Sequence, residues 1–358
     1  MVVSIIKSLF FLILFALSFV GLHYYPFSRI ISILAPKYKP YSLALSLAVA
    51  FCVLSFFLIS MLFHKSFFGI PQRITYFWFG FIFFLFFAVL ITHVISLMLP
   101  LGPRLTILII FLLALSVVAY ALIEGGRLHT KTISLTSSKI TKPYSIVLLT
   151  DLHVGSNSTS FLQKVVTRVN DLKPDFVTIV GDFIDRDNVT PDDIDMFKAL
   201  NMPVYYTYGN HEFYVKKDTP EKAIEETQII LLRNKAVIHD ELQIIGVDDY
   251  RRYRANLEKH MKDIVINPNK YSILLNHQPK EEDIPQSKGV DLILSGHTHG
   301  GQIFPFTLFV KLAYRYVYGL YDLGKTKLYV TSGAGIWGPR MRLGSQNEVV
   351  LINIVPES

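Results

Sequence analysis

Long apolar runs without a charged side chain occupy the first third of the sequence. They lie at roughly Ser8–Leu22, Tyr41–Phe63, Ile74–Leu99 and Leu105–Ile123. A helix needs about 20 apolar residues to cross about 30 Å of hydrocarbon, and most of these runs reach that length. The first run is the shortest, and a signal peptide is the alternative interpretation for it. We therefore predict a transmembrane region of about four helices over residues 1–126.

The distribution of charge divides the chain at the same place. Residues 1–126 contain one acidic residue and seven Lys or Arg, whereas residues 127–358 contain 27 acidic and 28 basic residues. Most of the net charge of +7 therefore belongs to the turns between the apolar runs. The remainder is nearly neutral and has one basic cluster, at 248–256, which acidic residues precede. We expect no nucleic-acid partner, because nucleic-acid-binding domains usually carry a basic stripe.

Four spans would leave the two ends of the membrane region on the same side of the membrane. On that side five basic residues flank the spans, against four on the other side. Because basic residues are enriched in cytoplasmic loops, this difference favours a cytoplasmic position for residues 127–358 of a multi-pass protein. The single cysteine, Cys52, lies within a span, so no disulfide can form within the chain. The pattern leaves the oligomeric state open.

The second part of the chain has the pattern of an α/β domain. Residues 127–143 are rich in Ser, Thr and Lys and predict a linker, with a short strand at Thr132–Leu135. Residues 144–356 then alternate short apolar runs with amphipathic segments, among them helices that begin near Ser158, Thr190 and Thr219. The runs that predict strands are 144–150, 176–181, 203–209, 242–247, 271–276, 290–296, 328–333 and 348–354.

Polar residues of the types that bind metals follow five of these predicted strands. In chain order they are Asp151 and His153, then Asp182 with Asp185 and Arg186, then Asn210 and His211, then His277, and then His297 and His299. Each residue taken alone has an ordinary interpretation as a turn or loop residue. However, five of the eight histidines in this part of the chain follow strands. Since strand ends are where α/β domains place their sites, the pattern favours one shared site.

The residue types indicate which ions such a site would hold. Asp, Asn and His without Cys suit Mn, Fe or Zn rather than a thiolate site. Seven potential ligands are too many for one tetrahedral ion, and they suit two ions that share a carboxylate. Such a pair, roughly 3.5–4 Å apart, stabilises both the attacking and the leaving oxygen of a phosphoryl transfer and activates water. The glycines of GHTHGGQ, at 296–302, allow close approach of the backbone beside the ions.

The order of the motifs DxH, GDxxD, GNHE, a lone His and GHxH resembles that of the calcineurin-like metallophosphoesterases. The resemblance covers Tyr144 to Pro356, and GHTHGGQ is similar to the membrane-anchored bacterial branch of that family. It implies a four-layer α/β/β/α sandwich of two mixed sheets and a location in a bacterial inner or cell membrane. It also implies a hydrolase that cleaves a phosphodiester, phosphomonoester or pyrophosphate bond by attack of a hydroxide that bridges the metals.

The resemblance further implies a role for each residue. Asp151, His153, Asp182 and His299 would bind one divalent ion, and Asp182, Asn210, His277 and His297 would bind the other. His211 would be the general acid, and Asp185 would orient it. Arg186 is a candidate for holding the phosphate, although Asp187 follows it and a surface salt bridge is an alternative. Arg340 and Arg342 are rival candidates, and a solvated loop is the alternative for both.

The segment 302–321, QIFPFTLFVKLAYRYVYGLY, bears on the class of substrate. It is either a core segment of the second sheet or a surface that rests on lipid and admits an acyl-bearing substrate. A lipid or envelope phosphoester is therefore the expected substrate, with the bilayer as a partner. Two alternatives remain open. One is a membrane-tethered protein phosphatase, and the other is a membrane scaffold or channel whose phosphoesterase-like domain is regulatory.

Overall fold

The computed structural model describes residues 2–62, 69–249 and 257–357, and it describes side chains for 16–58, 72–249 and 257–357. These residues form two compact units, Met1–Leu122 and Ile123–Ser358, each of which is described by itself. Most of the basic cluster predicted at 248–256 lies outside the described residues.

Four long helices account for most of the first unit. They are α1 (Val2–Leu34), α2 (Ser42–Leu62), α3 (Gly69–Met98) and α4 (Pro103–Gly126), and the last turn of α4 belongs to the second unit. Within the described residues, three segments are long and apolar enough to cross a membrane: Pro36–Leu58, Gln72–Met98 and Pro103–Gly126. These correspond to the last three predicted spans. The first, Ser8–Leu22, lies in α1 and partly outside the described side chains, so it stays a prediction.

The second unit contains twelve strands among its described residues. They are β1 (His129–Ser137), β2 (Tyr144–Leu149), β3 (Phe176–Val180), β4 (Val204–Thr207), β5 (Ile229–Leu231), β6 (Lys235–His239), β7 (Leu242–Gly246), β8 (Tyr271–Leu275), β9 (Leu292–Ser295), β10 (Gly319–Leu323), β11 (Thr326–Val330) and β12 (Glu348–Pro356). The helices are α5 (Thr159–Leu172), α6 (Thr219–Ile224), α7 (Leu257–His260), α8 (Asp283–Ser287) and α9 (Phe306–Ala313). Short 3₁₀ helices include Pro191–Ala199, which begins with a capping box between Thr190 and Asp193.

The strands form two six-stranded mixed sheets. The order in the first is β1-β12-β2-β3-β4-β5, and the order in the second is β10-β11-β9-β8-β7-β6. Strands β2 to β5 run parallel in the first sheet, as do β7, β8, β9 and β11 in the second. Because the carboxyl ends of parallel strands share an edge, each sheet presents a group of loops there.

A buried apolar core lies between the two sheets. Ile146 and Phe176 from the first sheet pack in it with Ile273 and Leu294 from the second. The outer face of the first sheet is covered by the apolar side of α5, and the outer face of the second packs against the segment that contains α7. Strands buried on both faces explain the continuous apolar runs in the sequence. The predicted arrangement of two mixed sheets with helices outside is confirmed.

Several local predictions differ from the structure. The short strand predicted at Thr132–Leu135, within the segment 127–143 predicted as a linker, is part of the longer β1, which pairs with β12 over its whole length and extends the first sheet. The helix predicted from Thr219 ends at Ile224, and three of the apolar residues after it form β5. The interpretation of 302–321 as a core segment of the second sheet holds only for its end, where Tyr316 and Val317 are buried and β10 begins; it is wrong for α9, none of whose residues is buried.

Candidate metal centre

The loops that carry the predicted ligands meet at one edge of the sandwich. The ends of β2, β3 and β4 in the first sheet lie beside the ends of β8 and β9 in the second. His277 Nδ1, in the loop after β8, lies 2.8 Å from the Val180 carbonyl at the end of β3. Thr207 Oγ1 donates to Val247 O at 2.7 Å, and this hydrogen bond also joins the two sheets. Both sets of strand ends therefore contribute side chains to one place.

Asp151, His153 and His299 form a first group, with ligand atoms within 4.8 Å of one another. His299 Nε2 lies 3.4 Å from Asp151 Oδ1 and 3.4 Å from His153 Nε2. Two ring nitrogens that face each other require a proton or a cation between them, because two lone pairs at this distance repel. The group therefore has the composition and the geometry of a cation site.

Asp182, His277 and His297 form a second group within the same limit. His277 Nε2 lies 3.1 Å from Asp182 Oδ2. Nδ1 of His277 donates to a backbone carbonyl, so Nε2 is the ring nitrogen directed at the carboxylate; burial lowers the pKa of His277, but the Asp182 carboxylate outweighs it and raises this pKa well above its usual value. Asp182 belongs also to a group with His153 and His211, so it lies between the first and second groups.

Several buried atoms at this site are unpaired. Asp151 Oδ1, Asn210 Oδ1 and His277 Nε2 have no hydrogen-bond partner among the residues that the structure describes. A buried polar atom without a partner costs about 1–3 kcal/mol, so such atoms are rare in native proteins. Ligation of a divalent cation would remove this cost. The nitrogen and oxygen donors present suit a pair of Mn, Fe or Zn ions, and the residues fit the predicted cofactor.

Asp182, His297 and His299 are in the protonation states that bind metal, whereas a bound cation would have to displace a proton from His277. Burial raises the pKa of the Asp182 carboxyl, but the imidazoles of His277 and His211 outweigh it and hold this pKa well below its usual value. Burial, assisted by the charge of His277, lowers the pKa of His297 to about 4. Burial also lowers the pKa of His299, to about 3. Ionised carboxylates and neutral imidazoles are the forms that coordinate cations.

Many of the predicted ligands have a strained backbone. Five of the seven have φ between 46° and 68°, in the left-handed region: Asp151, His153, Asp182, His297 and His299. This conformation costs a residue with a side chain roughly 1–2 kcal/mol, so it persists only where the surroundings enforce it. Its concentration here indicates that the loops are held in the geometry that aims these side chains together.

Glu212 provides part of this enforcement, and the sequence interpretation gave it no role. Its buried carboxylate accepts hydrogen bonds from the backbone N–H groups of Asp182, Phe183, Ile184 and Gly209, at 2.6–3.0 Å. A Cβ on Gly209 would lie 2.2 Å from Asp182 Oδ1, so only glycine fits there. Glu212 thus ties the loop after β3 to the loop after β4. The position of Glu212 directly after His211 in the GNHE motif was the one sequence feature that could have indicated a role for it at the site.

His211 and Asp185 form a pair beside the two groups. Asp185 Oδ1 is hydrogen-bonded to His211 Nδ1, and Ser156 donates to the other oxygen of Asp185. His211 Nε2 is left 3.8 Å from Asp182 Oδ2. Burial lowers the pKa of His211, but the carboxylates of Asp182 and Asp185 outweigh it and raise this pKa to about 9. His211 can therefore carry a proton on Nε2.

The three predicted phosphate anchors differ in their surroundings. Arg342 is fully buried, and its guanidinium donates to the carbonyls of His299, Ser332 and Gly335 at 2.7–2.8 Å and to Asn347 Oδ1 at 2.9 Å. The prediction that Arg342 binds substrate is wrong, because protein acceptors occupy its donors. Arg342 instead fixes the loop that carries His299. Arg186 is half-buried and Arg340 is exposed, and both stay predictions.

Aromatic side chains surround the histidines of the site. The rings of Tyr214 and Trp337 lie 5.3 Å and 6.1 Å from the ring of His211, and Tyr314 lies 5.5 Å from His297. Tyr214 and Trp337 are both largely exposed. The proximity of these side chains to the partly buried rings of His211 and His297 places aromatic surface at the rim of the site. No spacing in the sequence indicated these neighbours, because they lie on three separate loops.

Comparison with known proteins identifies the family. The family described as Calcineurin-like phosphoesterase matches residues 144–301. An uncharacterised metallophosphoesterase of Aquifex aeolicus is 34% identical over 255 residues, which cover 66% of this chain and 95% of the relative. The chain belongs to the calcineurin-like metallophosphoesterases. The predicted family is thereby confirmed, and the family is one that binds divalent metals.

Other relatives of this metallophosphoesterase come from both bacteria and animals, and some are longer than the part that this chain matches. An uncharacterised metallophosphoesterase of Campylobacter jejuni is 40% identical over 240 residues, 63% of each chain. A zebrafish protein described as a transmembrane protein with a metallophosphoesterase domain is 31% identical over 229 residues, 58% of this chain and 52% of that protein. The chain thus spans less than two thirds of the length of these two relatives. Bacterial and eukaryotic relatives both occur, so the bacterial branch stays a prediction.

Proposed function

We propose that this chain is a membrane-tethered hydrolase that cleaves a phosphoester bond with the help of two divalent metal ions. The observation that carries the proposal is the meeting of side chains from five strand ends at one edge of the sandwich. Their ligand atoms form overlapping groups around Asp182, and buried oxygen and nitrogen atoms among them are unpaired within the described residues. Buried polar atoms without a partner are rare in native proteins, and a bound cation would satisfy those at this site.

One ion would be held by Asp151, His153, Asp182 and His299, and the other by Asp182, Asn210, His277 and His297. The first and second groups described above supply most of each set, and the position of Asp182 between them supports its assignment as the shared ligand. When bound, two such ions supply positive charge for the phosphoryl oxygens and lower the pKa of water.

His211 would act as the general acid. Its Nδ1 is held by Asp185, which in turn accepts from Ser156, so the ring orientation and the tautomer are fixed. The remaining nitrogen, Nε2, points toward Asp182 and is available to give a proton to the leaving oxygen. Asp185 positions His211 and does not itself react.

The substrate would be a phosphodiester, phosphomonoester or pyrophosphate of a lipid or envelope compound. Two features support this class: the same chain carries three apolar helices of membrane-spanning length, and exposed aromatic residues adjoin the site. The catalytic unit would lie on the cytoplasmic side of the membrane, as the distribution of basic residues favours.

A substrate panel tests the proposal. The full chain, purified in detergent and loaded with Mn²⁺, is assayed against a lipid phosphodiester, a lipid pyrophosphate and a phosphopeptide, each with and without a chelator. We expect chelator-sensitive release of the lipid phosphate or headgroup. Turnover of the phosphopeptide alone would replace the proposal with the protein phosphatase, and no turnover of any substrate by the metal-loaded chain would refute it.

A further inference from the structure

We propose that helix α9 and two neighbouring residues dock on the surface of an anionic lipid bilayer. The residues form what we call the apolar α9 surface: Phe304, Phe306, Leu308, Phe309, Leu312 and Trp337. At least half of each side chain is exposed, and Leu312 is 86% exposed. This inference concerns a binding surface, and it does not depend on the hydrolysis proposed above.

The solvent-exposed side of α9 is apolar, whereas the exposed side of a helix in water usually carries polar residues. Thr307 and Val310 are half-buried and face the domain, with Thr307 packed so closely on Gly301 that a Cβ there would lie 2.4 Å from its Cα. Leu308, Phe309 and Leu312 recur at helical spacing on the exposed side. A surface helix of a soluble domain has its polar residues on this side. Contiguous exposed apolar residues indicate an interaction surface.

Hydrogen bonds connect the two parts of the apolar α9 surface. Gln302 Nε2, just before α9, donates to the carbonyls of Trp337 and Pro339 at 2.9 Å and 3.1 Å. Phe304 N donates to Leu343 O at 2.8 Å. The loop that carries Trp337 is therefore fixed to the segment that begins α9, and the aromatic residues of both belong to one surface.

The same loop is fixed to the last turn of α4. Asn347 Nδ2 donates to the carbonyls of Gly125 and Arg127 at 3.0 Å. Gly125 lies so close to this loop that a Cβ would be 2.6 Å from Arg340 O. The segment Pro103–Gly126, which ends here, is long and apolar enough to span a membrane. The apolar α9 surface is thus held, through one loop, to the point where a membrane-spanning helix enters the domain.

The charges near α9 favour anionic lipid over a second copy of this chain. Segment 302–321 contains no acidic residue, and Lys311 and Arg315 are exposed within it; Arg315 Nη1 lies 3.4 Å from Glu282 Oε1, just before α8, and its side chain is still 78% exposed. The Lys280 ammonium lies 4.4 Å from the ring centroid of Tyr314, at the end of α9. Two copies that met on this surface would bring like charges together, whereas an anionic bilayer would attract each of them. Phe, Trp and Tyr with Lys and Arg are typical of membrane interfaces.

Docking would place the bilayer beside the metal centre. Trp337 of the apolar α9 surface lies beside His211, and Tyr314, the residue that follows α9, lies beside His297, so the surface and the end of its helix both adjoin the site. A phosphate at the depth of the lipid headgroups would then be close to the histidines. The surface is a positioning device in this arrangement, because none of its six residues needs to contact the reacting atoms.

The test uses the full chain with a single labelled cysteine. Cys52 is the only cysteine, so the variant Cys52→Ser with Leu312→Cys carries one environment-sensitive fluorophore, at the most exposed residue of the surface. The matched control places the label at Asp192, an exposed position in the 3₁₀ helix Pro191–Ala199. Both proteins are reconstituted in nanodiscs that contain phosphatidylglycerol and lipids with a spin label near the headgroup.

We expect the label at position 312 to be quenched several-fold more strongly than the label at 192, with emission shifted to shorter wavelength. Adding Lys311→Glu and Arg315→Glu should reduce the quenching at 312 toward the control value. Equal quenching at the two positions would overturn the inference. Efficient disulfide crosslinking between unlabelled 312 cysteines, together with weak lipid quenching, would also overturn it and assign the surface to a second copy.

Discussion

Several residues at this site have a backbone conformation or an unpaired polar atom that lowers the stability of the fold but suits the binding of a ligand. The left-handed backbone at Asp151 and Asp182, and the unpaired oxygen of Asn210, would each disfavour folding if the site held no ligand. Residue type at a strand end was enough to predict from the sequence which side chains would gather at this site, and their role as metal ligands stays a prediction. The backbone strain and the roles of Glu212 and Arg342 were not predictable, because they depend on contacts with residues distant along the chain.

Asp182 and His211 should fail in different ways when they are replaced. Asp182→Asn removes the charge between the two ligand groups, so we expect loss of bound metal and of activity. His211→Ala keeps the predicted ligands, so metal content should be unchanged while turnover falls by about 10²–10⁴. Metal analysis beside initial rates separates the two variants, and exposed Asp192→Asn is the control. Activity of Asp182→Asn or His211→Ala at the wild-type level would contradict the assignment.

Arg342 should behave as a structural residue. Arg342→Lys loses several buried charge-assisted hydrogen bonds, each worth roughly 1.5–3 kcal/mol, so the midpoint of thermal unfolding should fall by several degrees. The exposed Arg340→Lys is the matched control and should leave the midpoint unchanged. If Arg342 bound phosphate instead, its replacement would raise KM and leave the unfolding midpoint in place.

Among the helices and strands, the buried strands could be predicted from the sequence and the exposed or very short strands could not. The strands β2, β3, β8 and β9 are buried on both faces and appear as apolar runs in the sequence. The strands that sequence patterns missed are β5, with three residues, and the half-exposed edge strands β6 and β10. The apolar residues after α6 fit a helix as well as a strand, and pairing with β4 decides in favour of the strand.

The link between the loops after β3 and β4 can be weakened without touching a ligand. Glu212→Gln replaces one acceptor oxygen by an amide NH₂ that faces backbone N–H groups, so the loops should separate. We expect Mn²⁺ affinity to fall about 10–100-fold, as for other residues that orient ligands. Calorimetric titration of Mn²⁺ measures this change. Exposed Glu225→Gln is the control, and equal affinities for the two variants would show that Glu212 is not needed.

The whole molecule combines a unit of long apolar helices with a nearly neutral metallophosphoesterase unit. The change in composition near residue 126 located this division in the sequence, because charge is nearly excluded from apolar spans. The structure divides the chain between Leu122 and Ile123, a few residues earlier, since the last turn of α4 packs within the second unit. That packing depends on Asn347 and has no local sequence signal.

The proposed orientation can be measured on intact membranes. If the catalytic unit faces the cytoplasm, added protease should leave it intact in spheroplasts and degrade it in inside-out vesicles. A tag at the carboxyl end, near β12, reports the result by immunoblot. Degradation in spheroplasts would place the unit on the other face and remove the cytoplasmic assignment.

The central claim is that two cations share Asp182, and electron paramagnetic resonance of the Mn²⁺-loaded chain tests it most directly. Two Mn²⁺ ions roughly 3.5–4 Å apart should give an exchange-coupled spectrum with two ions bound per chain. Asp182→Asn should abolish the coupling, and Asp192→Asn should preserve it. A spectrum of isolated Mn²⁺ only, at saturating metal in the wild-type chain, would contradict the account.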